Sequence, residues 1–216
     1  MNDFINLIRQ VLLPQIKLES VDPHNPVVVH HLPLPWQVLG TGNYAAVVTH
    51  PEYPRSVVKI YAPGRRGFDE EVEVYRRLGQ HPAFSECLYA ENGFLILKRL
   101  DGVTLYECIH HGITIPPQVI QDIDQALSYA RSVGLNPHDV HGRNLMMNQG
   151  AGLVVDVSDF LKLEPCSAWE DIKRAYYCFY WPILSRLPMG FSYQLLDGIR
   201  VSYRYYRRVL KREVNE

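Results

Sequence analysis

The sequence predicts an α+β fold in two lobes, and three observations predict it. Before residue 98 the apolar residues come in short Val- and Ile-rich runs broken by Gly and Pro, the pattern of an antiparallel sheet. One segment in that half, "FDEEVEVYRRLGQ", switches to helical period. After Leu100 the helical period dominates. The expected division is an N-terminal helix and extension over 1–35, a β-rich lobe over 36–97, a short connection over 98–101 and a helix-rich lobe over 102–216, with a cleft between the lobes.

In "MNDFINLIRQVLLPQIKL", Phe4, Ile8, Val11 and Leu12 recur at helical spacing, so the segment is expected to dock on the body as an amphipathic helix. Asp3 ahead of any basic residue and Arg9 inside the apolar run argue against a secretory signal. "SVDPHNPVVVHHLPLPW" connects this helix to three expected strands, "WQVLG", "AAVVTH" and "SVVKIY". In "FDEEVEVYRRL", Phe68, Val72, Tyr75 and Leu78 share a face and Gly79 is the stop. "CLYAENGFLILKRL" reads as a hairpin turning at Asn92-Gly93, a pair that tolerates positive φ at both central positions. "PPQVIQDIDQALSYARSVG" reads as a long helix, with Pro near its start, a stripe of Ile120, Ile123, Leu127 and Ala130, and Gly134 at its end. "NLMM" and "LVVDV" are two short strands in an otherwise helical remainder.

With 22 basic and 23 acidic residues the formal net charge is −1, which removes the broad positive field that non-specific nucleic-acid binding uses. Cys87, Cys108, Cys166 and Cys178 form no C-x-x-C pair, so reduced thiols in a cytoplasm are expected rather than zinc or disulfides. No apolar run is long enough to span a bilayer, and no membrane partner is expected.

Four features carry chemistry. "VLGTGNYAAVV" is strand, Gly-rich turn, strand; Gly40 and Gly42 permit unusual φ and close backbone approach, so amides there could cover phosphates. "SVVKIY" sets Lys59 in an apolar strand, and a buried ammonium asks for a carboxylate or phosphate partner. The next helix offers Glu71, with Glu70 and Glu73 as alternatives in register. "PHDVHGRN" and "VVDVS" bring Asp139, Asn144 and Asp156 in a spacing that suits a metal nucleotide or a polar turn between buried strands.

Taken in order, these motifs resemble the protein-kinase-like superfamily. "GTGNYAAVV" is similar to its Gly-rich loop, with Ala45 at the third Gly; "VVKIY" to its strand Lys; "FDEEVEVYRRL" to its ion-pair helix; "FLILKRLDGVTL" to its last N-lobe strand and hinge. "DVHGRN" matches the catalytic loop, in a D-x-H-x-x-N form close to aminoglycoside phosphotransferases, and "VVDVS" the metal-binding Asp segment. The resemblance implies ATP and Mg²⁺ as cofactors. It implies Asp139 as the catalytic base or acceptor-orienting group, Lys59 and Glu71 as the phosphate-positioning pair, and Asn144 and Asp156 as metal ligands. It implies nucleotide contacts from Leu39, Gly40, Thr41, Gly42, Asn43, Val47, Lys59, Leu97 as gatekeeper, Lys98 and Leu100. Mg²⁺ suits such a set because it takes octahedral oxygen ligands shared with phosphate.

The departures shape the expectation. Pro137 stands where the family's His is usual, with His138 directly before Asp139, and Val157-Ser158 replace the Phe-Gly that follows the metal Asp. No A-P-E segment follows, and the C-lobe is truncated relative to typical protein kinases. Those traits are shared with RIO-type, lipopolysaccharide-core and KEOPS-complex kinases, which implies an atypical serine/threonine kinase without activation-loop phosphorylation. The alternatives are a small-molecule kinase of aminoglycoside-phosphotransferase type, or a pseudokinase serving as a nucleotide-binding interaction module. The acceptor that the resemblance implies is a hydroxyl on a protein or a small molecule.

Asp171 is read either as a helix Asp bracing the catalytic loop or as a favourable N-terminal helix charge. His141 orients the loop, contacts phosphate or makes a structural hydrogen bond; His30-His31 and His110-His111 read as solvated, and "PGRRG" as a solvated loop. Arg200, Arg204, Arg207, Arg208, Lys211 and Arg212, with Tyr203, Tyr205 and Tyr206 interleaved, form a basic stretch suited to an acidic or nucleic-acid partner. The plainer account is a last helix that packs Val201, Tyr205 and Val209 and solvates its other side. "PMGFSYQLLDG" suggests no mechanism.

Overall fold

The computed structural model describes residues 1–22, 25–186, 189–199, 201–202 and 205. Helix α1 (Asn2–Leu7) continues through a π-helical turn, Ile8–Leu12, into a last turn α2 (Leu13–Gln15). Pro14 has no N–H to give to an i→i−4 ladder, which accounts for the loosened winding ahead of it. Strands β1 (Lys17–Glu19) and β2 (Val28–His31) pair antiparallel beside it.

The N-lobe sheet holds β3 (Gln37–Thr41), β4 (Ala45–Thr49), β5 (Ser56–Tyr61), β6 (Cys87–Glu91) and β7 (Phe94–Lys98), in the order β3-β4-β5-β7-β6, antiparallel throughout. Helix α3 (Phe68–Leu78) joins β5 to β6. Strand alternation sends Val48, Val58, Ile60, Phe94 and Ile96 to one face, where Trp36 and Phe4, Ile5, Ile8 and Leu12 of the N-terminal helix cover them. The opposite residues, Val57, Leu95 and Leu97, pack with Val74, Tyr75 and Leu78 of α3 and the C-lobe core. The docked amphipathic helix expected from the sequence is therefore what closes the outer face of the sheet. The hairpin turns at Asn92 (φ 45°) and Gly93 (φ 84°), both left-handed.

Helix α3 differs from expectation by a rotation of its stripe. Glu71, Val74, Tyr75 and Leu78 are its buried residues, while Phe68 and Val72 are only half-buried. A hydrophobicity pattern excludes a glutamate from the buried stripe; here the carboxylate is buried because it has partners.

The C-lobe begins with β8 (Val103–Thr104) and α4 (Leu105–His111), capped by the Thr104 hydroxyl, which accepts the Glu107 N–H at 3.1 Å. Helix α5 (Pro117–Ser132) follows, with Val119, Ile120, Ile123, Ala126, Leu127 and Ala130 buried. Strands β9 (Leu145–Asn148) and β10 (Ala151–Val154) form a hairpin, in a sheet ordered β10-β9-β8. Gly152 lies against α5 so closely that a Cβ would sit 2.3 Å from the Val119 carbonyl, so only glycine fits. Helix α6 (Ala168–Ala175), a π-helical turn (Tyr176–Tyr180), a 3₁₀ turn (Leu184–Arg186) and a helical stretch over 193–199 complete the described chain.

Val201 and Tyr205 are 60% and 70% exposed, so the packed face expected there is not found. Val209, the basic residues from Arg200 to Arg212, and Tyr203 and Tyr206 lie outside the described residues. The four cysteines are free, and no helix among the described residues is long and apolar enough to cross a membrane.

Candidate active site

Alternation along β5 turns Val57, Lys59 and Tyr61 toward the cleft and α3. Lys59 is 7% exposed; its Nζ lies 2.8 Å from Glu71 Oε1 and 3.2 Å from Asp156 Oδ1. Of the three glutamates in register, Glu71 makes this contact. Glu70 is exposed, and Glu73 ties Arg76 and Arg77 at 2.6 and 2.7 Å. Burial alone would depress the Lys59 ammonium, but the Asp156 and Glu71 carboxylates outweigh it and hold its pKa above the ordinary lysine range. Burial pushes the Glu71 carboxyl up, against the pull of Lys59. Burial also opposes ionisation of Asp156, yet the Lys59 charge and the Ser158 N–H carry its pKa below the usual carboxylate value.

The β9–β10 hairpin sets Asn144 beside Asp156. Leu145 pairs with Val154, and one step further out the Val155 N–H donates to the Asn144 carbonyl at 3.0 Å. Both residues thus sit at the open end of the hairpin, Asn144 across from Val155 and Asp156 one residue beyond it. Asp156 lies in the turn beyond β10 rather than in a strand, and its Oδ1 accepts the Ser158 N–H at 3.1 Å. Asn144 Nδ2 donates to the carbonyl of Asp139 at 3.1 Å, and Asp139 takes a left-handed φ of 54°. That conformation is uncommon for a residue with a Cβ, and the Asn144 bond helps hold it. The Asp139 carboxylate is 56% exposed, with His141 Nε2 at 3.7 Å from its Oδ2. Partial desolvation raises its pKa, opposed by His141 and reinforced by Asp159 and Asp156.

The Gly-rich turn joins β3 to β4. Leu39, Gly40 and Thr41 belong to exposed β3, Gly42 and Asn43 to the exposed turn. Neither Gly40 nor Gly42 takes a positive φ, contrary to one of the two reasons for expecting glycine there. An added Cβ at Gly40 would meet nothing within 4 Å, and one at Gly42 only the Ala45 carbonyl at 3.9 Å, so the turn's backbone is open. Tyr44, at the loop tip, accepts a hydrogen bond from Lys162 Nζ of the C-lobe at 3.2 Å, and Lys162 also pairs with Asp159 at 2.8 Å. Val47 sits opposite Lys59 in the β4–β5 register, and Leu97 is buried between β5 and β6. Lys98 spends its N–H on the Glu86 carbonyl and its carbonyl on Ser85 Oγ; Arg99 gives its N–H to Arg55; Leu100 is half-buried.

Sequence reasoning missed several contributors. Tyr61, two residues from Lys59 on the same strand face, reaches Glu71, and strand alternation was the available signal. Lys162, Asp159 and Arg143 gave none. Arg143 lies over the Tyr106 ring at 4.2 Å and reaches Asp197 Oδ1 at 2.9 Å, so the described part of "PMGFSYQLLDG" meets the 139–144 loop at Asp197, while Pro188 lies outside the described residues. Tyr193 stacks on His110 at 3.6 Å, His111 pairs with Glu107 and His30 with Glu19. Asp171 accepts from Ser167 Oγ at 3.2 Å in the first turn of α6, and Arg65 donates to the Asp22 carbonyl at 2.7 Å. No cluster of three or more His, Cys, Asp or Glu suited to a metal ion occurs among the described residues.

Compared with known proteins, the chain is 33% identical over 159 residues to a Bacillus subtilis (strain 168) protein named "Putative serine/threonine-protein kinase YrzF", covering 73% of this chain and 69% of that one. The chain belongs to the protein-kinase-like superfamily. No family model matches it. Among solved structures this kinase-like chain is similar to Rad53 1-466, crystallised in complex with AMP-PNP, at 20% identity and a TM-score of 0.48. That match covers 65% of this chain and spans 42% of the length of the Rad53 chain.

Proposed function

We propose that this kinase-like protein is an ATP- and Mg²⁺-dependent phosphotransferase, an atypical serine/threonine protein kinase that transfers the γ-phosphate of ATP to a hydroxyl. The observation that carries the proposal is the buried Lys59 ammonium held between Glu71 and Asp156, with Asn144 alongside. Maintaining three charges together in a partly dry cleft is costly, and a polyphosphate with its metal is a ligand that repays it.

Lys59, aimed by Glu71, positions the phosphates. The open backbone of Gly40–Asn43 covers them, Leu39, Val47 and Leu97 wall the base, and the hinge contact falls to Leu100, because Lys98 and Arg99 have already given up their N–H groups. Asp139 orients the acceptor hydroxyl and accepts its proton as the oxygen attacks phosphorus.

Asp156 and Asn144 fit Mg²⁺ by donor chemistry. Asp156 Oδ1 takes Lys59 Nζ and the Ser158 N–H, and Asn144 spends its Nδ2 on Asp139, so the Asp156 carboxylate and the Asn144 amide oxygen are the donors on offer. Two hard oxygens suit a metal that arrives already bound to phosphate. When bound, Mg²⁺ neutralises developing charge on the phosphate oxygens.

The first test is a thermal melt of wild type and Asp156→Ala with and without Mg·ATP. The proposal requires stabilisation that depends on Mg²⁺ and is lost in the mutant. Labelled phosphate from ATP then separates a protein acceptor from a small-molecule one. A wild-type melt indifferent to saturating Mg·ATP sinks the nucleotide site and favours an interaction module.

A further inference from the structure

Tyr61 is 8% exposed on the same face of β5 as Lys59. Its hydroxyl lies 2.5 Å from Glu71 Oε2 and 3.1 Å from the carbonyl of Gly67, the residue that precedes α3. A phenol has one proton, and the shorter contact to the charged acceptor takes it. Burial, with the Glu71 charge close by, holds the phenol protonated far above its ordinary range, so it remains a donor. Glu71, 0% exposed, therefore has each oxygen engaged, Oε1 by Lys59 and Oε2 by Tyr61. With Lys59 alone, one oxygen of a buried carboxylate would go unsatisfied, and nothing offsets the desolvation of such an oxygen.

The same contact fixes a helix. Gly67, at φ 110°, accepts the Glu71 N–H at 2.9 Å, so the Tyr61 hydroxyl meets both the residue that opens the first turn of α3 and the one that closes it. Phe68 packs edge-on against the Tyr61 ring at 5.9 Å. Rotating or sliding α3 would break the Tyr61 and Lys59 contacts to Glu71 together.

We propose that Tyr61 is a positioning residue that pins α3 in the register where Glu71 meets Lys59, so that the ion pair belongs to the resting fold instead of forming only when nucleotide arrives. The inference rests on the nucleotide-site reading above. Tyr61 acts through Glu71 and Lys59 and does not touch the reacting atoms. In Tyr61→Phe the ring stays and the donor goes, and the helix register comes to depend on ligand.

Hydrogen exchange over residues 68–75, measured on the full chain with and without Mg·ATP, tests this in wild type, Tyr61→Phe and Tyr129→Phe. Tyr129 is the control: its hydroxyl donates to the Leu78 carbonyl at the other end of α3, at 2.7 Å. Wild type should be equally protected in both conditions. Tyr61→Phe should exchange about tenfold faster without nucleotide, recover with Mg·ATP, and bind Mg·ATP about tenfold more weakly, the scale of a lost hydrogen bond to a buried charge. Tyr129→Phe should lower the melting temperature but leave exchange over 68–75 and Mg·ATP affinity as in wild type. The proposal is overturned if nucleotide-free Tyr61→Phe exchanges like wild type, or if Tyr129→Phe loosens 68–75 equally. The nucleotide-free comparison decides the pin even if wild type ignores Mg·ATP, an outcome that would defeat the nucleotide site separately.

Discussion

Lys59 Nζ and Asp156 Oδ1 lie 3.2 Å apart although 97 positions separate them in the chain. Lys59 comes from the N-lobe sheet and Asp156 from the turn beyond the C-lobe hairpin, so this contact ties the lobes across the cleft. With Lys59 side-chain exposure at 9% and Asp156 at 35%, the attraction acts where water screens it less than at an open surface.

Lys59→Met should destabilise the fold by about 3–5 kcal/mol, because Glu71 is left buried without its counter-charge. Urea unfolding measures this. Lys59→Met combined with Glu71→Gln should cost less than the sum of the single changes; simple additivity would deny the coupling.

Asp139→Asn keeps the volume and removes the carboxylate proposed above to accept the hydroxyl proton. It should lower kcat by about 10²–10⁴-fold while the Mg·ATP thermal shift is retained. A variant with wild-type kcat would remove Asp139 from the chemistry.

Lys162→Met should release the loop tip. Its contact with Tyr44 is partly exposed, so the effect is small, about 1 kcal/mol or less, read as faster release of a fluorescent ATP analogue in stopped flow. Tyr44→Phe should match it, and the double variant should go no further. Additive effects would mean that the two residues act apart.

Hydrogen bonds from Arg76 and then Arg77 hold the Glu73 carboxyl at about 2, below its ordinary 4.5. A carboxyl whose pKa is depressed on folding stabilises the protein fully above its unfolded pKa and loses that contribution as pH falls. The melting-temperature gap between wild type and Glu73→Gln should therefore be open at pH 7 and close between pH 4.5 and 2. A gap that persists at pH 2 would contradict the linkage.

Phe4→Ala removes a ring 2% exposed that stacks on Tyr53 at 4.0 Å and Trp36 at 5.9 Å. Chemical unfolding should report a loss of about 3–5 kcal/mol.

Strand alternation and turn chemistry made the N-lobe legible: "SVVKIY" is β5 end to end, and Asn92-Gly93 turns the hairpin with both residues left-handed. Lys59 stood out because an ammonium in an apolar strand needs a partner, and Asp139, Asn144 and Asp156 by their spacing, which resembles that of the kinase-like superfamily. Glu71 was favoured over Glu70 and Glu73 by the resemblance alone, because helical period ranks apolar faces and says nothing of which carboxylate a distant lysine will bury, and it is Glu71 that meets Lys59. Tyr44 with Lys162, and Arg143 with Asp197, were hidden for a related reason: each joins segments far apart in the chain through flexible polar side chains, with no periodic trace.

The helix at residues 2–15 has a bearing on synthesis. It leaves the ribosome ahead of β7, yet its apolar side chains rest against Phe94 and Ile96, which emerge some eighty residues later. Until β7 is out, Phe4, Ile8 and Leu12 have only part of their final seat, and the nascent chain carries an open greasy surface that chaperones recognise. Deleting residues 2–15 would transfer the exposure to the finished sheet, leaving Val48, Val58, Ile60, Phe94 and Ile96 uncovered, and poor soluble yield would follow before any catalytic defect could be measured.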